Sequence, residues 1–222
     1  MIPIWSDAAK STGQSLADHA TSVLRDRLIF LDIPPGSPIN DEIVGRELGV
    51  GRTPVREALK RLETEHLVTV YPRRGTFASV VDITELAQIS EIRAQLEPLA
   101  ASRASRFSSP EQRSHLTELR DALRDSSATD ADRTRLMRVD LDVHRMIYAA
   151  NGNKHLEEVL VTYDNLSTRI WCLVVDRLPR LGEHVEEHID LLTAIVDGRT
   201  AEAHSLALEH VLSFETAVRS VL

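Results

Sequence analysis

The sequence predicts a mainly α-helical protein, an N-terminal winged helix-turn-helix followed by an antiparallel all-helical bundle. Three observations predict it. The apolar residues of the first 66 positions recur at helical spacing in three segments separated by turns. The period then changes to that of strands in two short runs, 67–71 and 76–80. After Val81 the helical period returns and holds almost to the end of the chain.

Residues 15–31 place Leu16, Ala20, Val23, Leu24, Leu28 and Leu31 on one helical face, and Pro34-Pro35-Gly36 ends that helix. A short helix over about 40–48 leads to the turn Gly49-Val50-Gly51. Thr53 is then read as an N-cap with Pro54 at the first helical position, and the helix runs to about His66. LVTVY and TFASV are two strands around the turn Pro72-Arg73-Arg74-Gly75. Beyond them, helices are expected at about 83–106, 110–127, 131–150, 154–177, 181–197 and 201–221. Asp82 with Glu85, and Ser109 with Gln112, have capping-box spacing, and Pro179 breaks the chain between the fourth and fifth of these helices. The expected domains are 1–80 and 81–222.

Composition narrows the function. No run approaches the roughly 20 apolar residues of a membrane helix. Met1–Lys10 has no signal-peptide pattern, so a soluble cytoplasmic protein without membrane partners is expected. Cys172 is the only cysteine, which excludes an internal disulfide and a thiolate zinc cluster. The net charge of −8 argues mildly against nucleic acid, but its distribution does not. Residues 1–81 are neutral, and Arg46–Phe77 holds seven basic residues against four acidic ones. The acidic excess lies entirely in the second part of the chain.

In a helix-turn-helix the second helix lies in the major groove, and its first residues need donors long enough to reach base edges. Arg52 and Arg56, four apart at that helix start, meet the requirement. Thr53 and the free N–H groups beside it can hold a phosphate. The wing tip Arg73-Arg74-Gly75 can reach the backbone or the minor groove. Isolated arginines are more often solvated surface charges. Here the order of elements and the charge excess coincide.

The C-terminal part carries different chemistry. Asp140 and His144 lie one turn apart on an otherwise apolar face. His188 and His210 also sit among apolar residues, each 11 positions from the turn centred on Arg199. In an antiparallel pair they are therefore level, roughly 16 Å from the turn. A single histidine on an apolar face is more often a hydrogen-bonded core residue than a ligand. One carboxylate and three imidazoles facing one cavity make a divalent metal site. Imidazole and carboxylate suit zinc first, with nickel, manganese or iron as alternatives. In the middle of the fourth bundle helix, Asn165 and Arg169 can line the same cavity, the alternative for Arg169 being a surface position. His155 and His184, near turns, are expected to be exposed.

Two stretches resemble known families. PPGSPIN (34–40), LGVGRTPVREALKRLETEHLV (48–68) and RRGTF (73–77) resemble the DNA-binding domain of the GntR family. The resemblance implies dimers on near-palindromic operators, base reading by Arg52 and Arg56, and supporting contacts from Arg46, Thr53, Arg74 and Gly75. Gly51 departs from the serine usual there. EIRAQLEPLAA (91–101), DLDVHRMIYAANGN (140–153) and the segment from EEHIDLL (186–192) to His210 resemble the FCD domain of the FadR-type branch. That resemblance implies an antiparallel bundle in which Asp140, His144, His188 and His210 bind a metal that a carboxylate effector reaches. Branch members that bind fatty acyl-CoA lack the metal set, so a small organic acid is implied. Arg93 matches an arginine that faces the pocket and can clamp a carboxylate, the alternative being a pair with Glu97 four residues on. The expected function is a ligand-responsive transcription repressor. Two other readings are a metal-dependent enzyme with a DNA-binding appendage and a regulator whose metal is structural or itself the signal. No nucleophile motif, phosphate loop or dinucleotide fingerprint supports the enzyme.

Overall fold

A computed structural model describes residues 15–125, 133–178 and 181–222. Pro179, the N-terminal ten residues, and the expected helix ends at 126–127 and 131–132 lie outside the described residues. The chain forms two compact units. One comprises Thr84–Ser167 and Leu173–Leu222; the other comprises the described residues up to Ile83 together with Thr168–Cys172.

The first unit in chain order begins with α1 (Leu16–Ile29). Its N-cap Ser15 and the Asp18 side chain form a reciprocal capping box. Next come β1 (Pro38–Ile39), α2 (Asp41–Leu48), α3 (Arg52–Thr64), β2 (Val68–Tyr71) and β3 (Gly75–Ala78). The Asn40 side chain caps α2, accepting from the Glu42 and Ile43 N–H groups, and Gly49 ends it at φ 65°. The expected Thr53 cap is corrected: α3 starts two residues earlier, with Gly51 as an N-cap that offers no side-chain bond. Pro54 is tolerated because it still lies in the first turn, where backbone N–H groups have no helical partner. Leu24, Leu28, Val55, Ala58, Leu62 and Leu67 are fully buried where α1 packs on α3.

The sheet has one strand more than expected. β1 pairs antiparallel with β3, which pairs with β2, giving the order β1-β3-β2. Two residues carry no readable period, so β1 was invisible to pattern. The wing turn is tight: Arg73 has φ 62° and Gly75 φ 99°. Only glycine adopts the second without strain.

A 3-10 turn (Ile83–Glu85) precedes the helices of the other unit: α4 (Leu86–Phe107), α5 (Pro110–Asp125), α6 (Arg133–Ala150), α7 (Lys154–Val174, apart from its Thr168–Cys172), α8 (Leu181–Val196) and α9 (Thr200–Arg219). The Ser109–Gln112 capping box forms in both directions, at 2.8 and 3.1 Å. The start of α4 differs from the expected Asp82 box, since its N-cap is Glu85 without a side-chain bond. α9 packs on α4 and α8, and α6 packs on α4 and α8. The α8–α9 turn closes through Gly198 at φ 73°. These contacts bring the buried, mainly apolar faces of α6, α8 and α9 to one place in the core.

Candidate functional site

In the N-terminal unit, the start of α2, one side of α3 and the wing enclose a groove of about 700 Å³. Arg52, Arg56, Arg74 and Gly75 all line it, as do Lys60 and Asp41. Arg52 and Arg56 are more than half exposed, and both reach Asp41, at 3.1 and 2.5 Å. Asp41 thus holds the two guanidiniums side by side. Those guanidiniums in turn keep its carboxyl below the usual range, the Arg56 bond contributing most. The Arg74 guanidinium lies 5.7 Å from the centre of the Tyr71 ring. Arg46 and Thr53 are exposed but do not line the groove. Asp41 and Lys60 were missed. Asp41 is 11 and 15 residues from its partners, so nothing local in the sequence marks the pairing.

The helical unit brings Asp140, His144, His188 and His210 together. One ligand atom from each lies within 4.8 Å of all the others. All four side chains are buried. The level pairing of His188 and His210 appears as ring centroids 4.2 Å apart, and His144 lies 5.1 and 5.2 Å from them. His144 Nε2 is 4.0 Å from Asp140 Oδ2, and His188 Nε2 is 3.8 Å from Asp140 Oδ1. Neither distance is a hydrogen bond. Asp140 Oδ1 and His188 Nε2 are buried with no partner.

Each imidazole is held from its other side. His144 Nδ1 meets the Tyr148 hydroxyl at 3.2 Å, with Glu97 3.4 Å away. His188 Nδ1 meets the Val185 carbonyl at 3.2 Å, and His210 Nδ1 meets Glu187 Oε2 at 2.9 Å. With every Nδ1 engaged, the Nε2 atoms remain for the centre, which is how outer partners orient metal-binding histidines. Burial pushes the Asp140 carboxyl well above the carboxylate range. It pulls His144 and His210 well below theirs, and His188 to about 3. Three neutral imidazoles and a buried carboxyl with two orphaned atoms fit a divalent cation, which would supply the missing charge.

Around this cluster the structure adds residues that sequence reasoning missed. His184 is not exposed as expected: its ring stacks on His210 at 4.2 Å, and its Nδ1 is 3.2 Å from Glu187. Asp164 approaches Glu97 and His144 closely, and burial pushes it up to about 7. Arg93 is buried and committed, donating to Glu97 and to the Ser167 hydroxyl at 2.5 Å each, with Asp164 3.5 Å away. Burial alone would lower its pKa, but the acidic groups around it, Glu97 first and then Tyr148 and Asp164, together more than offset that. The alternative reading of Arg93, a pair with Glu97, is therefore present. Asn165 is fully buried, and its Oδ1 accepts from Arg145. The structure does not bring Arg169 to the cluster. Its guanidinium donates to the Ser79 carbonyl at 2.6 Å, within the unit that holds Thr168–Cys172.

Residues 16–78 match the profile of the bacterial regulatory proteins of the gntR family, and residues 88–213 match the FCD domain. The chain belongs to the GntR family. A relative, the Nta operon transcriptional regulator of Aminobacter aminovorans, is 30% identical over 80% of this chain and 82% of its own length. The HTH-type transcriptional repressor GlaR of Escherichia coli is 26% identical over 86% of this chain and 90% of its own. The E. coli McbR/YncC structure superposes with a TM-score of 0.77 at 21% identity, covering 93% of this chain and 98% of that one. This GntR-family chain is therefore a DNA-binding transcription regulator with an FCD domain. No helix among the described residues is long and apolar enough to cross a membrane.

Proposed function

We propose that this regulator represses transcription as a homodimer on a near-palindromic operator and that a small organic acid controls it through a divalent metal in the FCD domain. The observation that carries the reading is the approach of Asp140, His144, His188 and His210 with two orphaned buried atoms at its centre. When bound, the metal, zinc first among the candidates, supplies a positive charge able to hold a carboxylate. Asp140 and the three Nε2 atoms hold it, and Glu187, Val185 and Tyr148 fix the ring orientations. Arg52 and Arg56 read base edges, with Arg74 and Gly75 at the wing and Arg46 and Thr53 as supporting contacts. Asp41 gives up the two arginines when DNA arrives. The repressor sign is supported by the name of the GlaR relative. Control requires that the acid bind one DNA-affinity state better than the other.

The test is operator binding by fluorescence anisotropy, using a sequence selected from random DNA. Arg52→Ala and Arg56→Ala should each lose about 1–3 kcal/mol of discrimination per lost base contact while the fold persists. Unchanged operator affinity in both variants would reject the arginine assignment. An acid that shifts operator affinity only in metal-loaded protein is the expected result. Affinity that responds to chelation but to no acid would leave the metal as a structural part or as the signal.

A further inference from the structure

Resting on the acid-effector reading above, we infer that Arg145 and Asn165 form the subsite that holds one carboxylate of the effector. Arg145 follows His144 on α6, and Asn165 follows Asp164 on α7. Arg145 Nη2 donates to Asn165 Oδ1 at 2.5 Å. A guanidinium carries donors only, so this bond fixes the amide: oxygen toward Arg145, Nδ2 away from it. Asn165 Nδ2 is buried and has no partner, and neither has the buried Arg145 Nε. Two side chains already in contact thus present two orphaned N–H groups. Buried donors without acceptors are costly and rare, and both are satisfied by one ligand class, an anion with acceptor oxygens. A planar carboxylate beside a guanidinium edge is the natural form of that anion.

The neighbouring charges favour this place over Arg93. The Arg93 guanidinium is occupied by Glu97, Ser167 and Asp164. A carboxylate arriving there would have to displace two of the protein's own. Arg145 holds one neutral amide and keeps Nε to give. A water bridging Asn165 Nδ2 to another polar group is the competing way to satisfy that donor.

Isothermal titration of the zinc-loaded full chain with acetate, lactate, succinate and benzoate tests the inference. Asn165→Asp keeps the oxygen that Arg145 uses and turns the free donor into an acceptor. Arg145→Lys keeps the charge and removes Nε. Both variants should bind zinc like the parent and lose about 10- to 100-fold in affinity for whichever acid binds. Equal acid affinity in parent and variants overturns the subsite and leaves the acid-effector reading standing. A loss in Asn165→Asp alone also overturns it, since the water-bridged arrangement predicts that result. No heat with any of the four acids at millimolar concentration overturns both. If Asn165→Asp fails to fold, the half-buried Arg145→Lys decides.

Discussion

At the scale of single residues, Glu187 shows how much a cluster depends on what surrounds it. Its Oε2 lies 2.9 Å from His210 Nδ1 and 3.2 Å from His184 Nδ1, and its Oε1 accepts from the Ser213 hydroxyl at 3.1 Å. A carboxylate so placed fixes the His210 tautomer and turns Nε2 inward. Glu187→Ala should weaken zinc binding by about 10- to 100-fold, measured by competition with a coloured chelator. Unaltered zinc affinity would mean that packing against His184 orients His210 without the acid. Neither Glu187 nor His184 was legible beforehand. Glu187 sits in a run of acidic residues beside the recognised His188, and its partner is 23 positions away. Period identifies a face, whereas this bond depends on the rotation of two helices about their own axes.

At the scale of elements, the sequence was most reliable where a helix is closed by its own neighbours. The box expected at Ser109 is local chemistry and forms, as does one at Ser15 that was not read beforehand, whereas the box expected at Asp82 does not. The start of α3 is the opposite case, since Gly51 has no side chain to cap with, and the helix still begins there. Burial of Val55, Ala58 and Leu62 against α1 outweighs a missing cap bond. The cap of α1 gives a pH test. Asp18 is pulled down to about 2, first by the Ser15 hydroxyl and then by Arg61. A carboxyl lowered from 3.8 contributes stability that is complete above the unfolded value and is lost as pH falls through the folded one. Asp18→Asn should therefore be less stable than the parent in urea at neutral pH, and the gap should close as pH falls from about 4 to 2. A gap that persists unchanged at the acid end would exclude the carboxylate as its source.

For the whole molecule, the two compact units predict more than one unfolding event. A ligand stabilises only the unit that binds it. Zinc at about 100 times its dissociation constant should add about 2.7 kcal/mol to the helical unit. Calorimetry before and after chelation should move one transition and leave the other in place. Movement of neither would exclude zinc from the Asp140 cluster, and equal movement of both would mean that the units unfold as one.

What the sequence determined by itself was whatever is written in local period and spacing. Among the described residues that includes every α-helix to within a few residues, two of the three strands, the i,i+4 pair of Asp140 and His144, and the level placement of His188 and His210. These follow from the helix rise and from short-range bonding, which act within one or two turns of chain. The tertiary structure alone decided which partners those residues keep. It committed Arg93 to Glu97, sent Arg169 to Ser79, joined Arg52 and Arg56 through Asp41, and left Arg145 and Asn165 with donors to spare. Each of those outcomes depends on how packed helices are rotated and displaced against one another. Side-chain complementarity across the whole core sets that, and no window of sequence contains it.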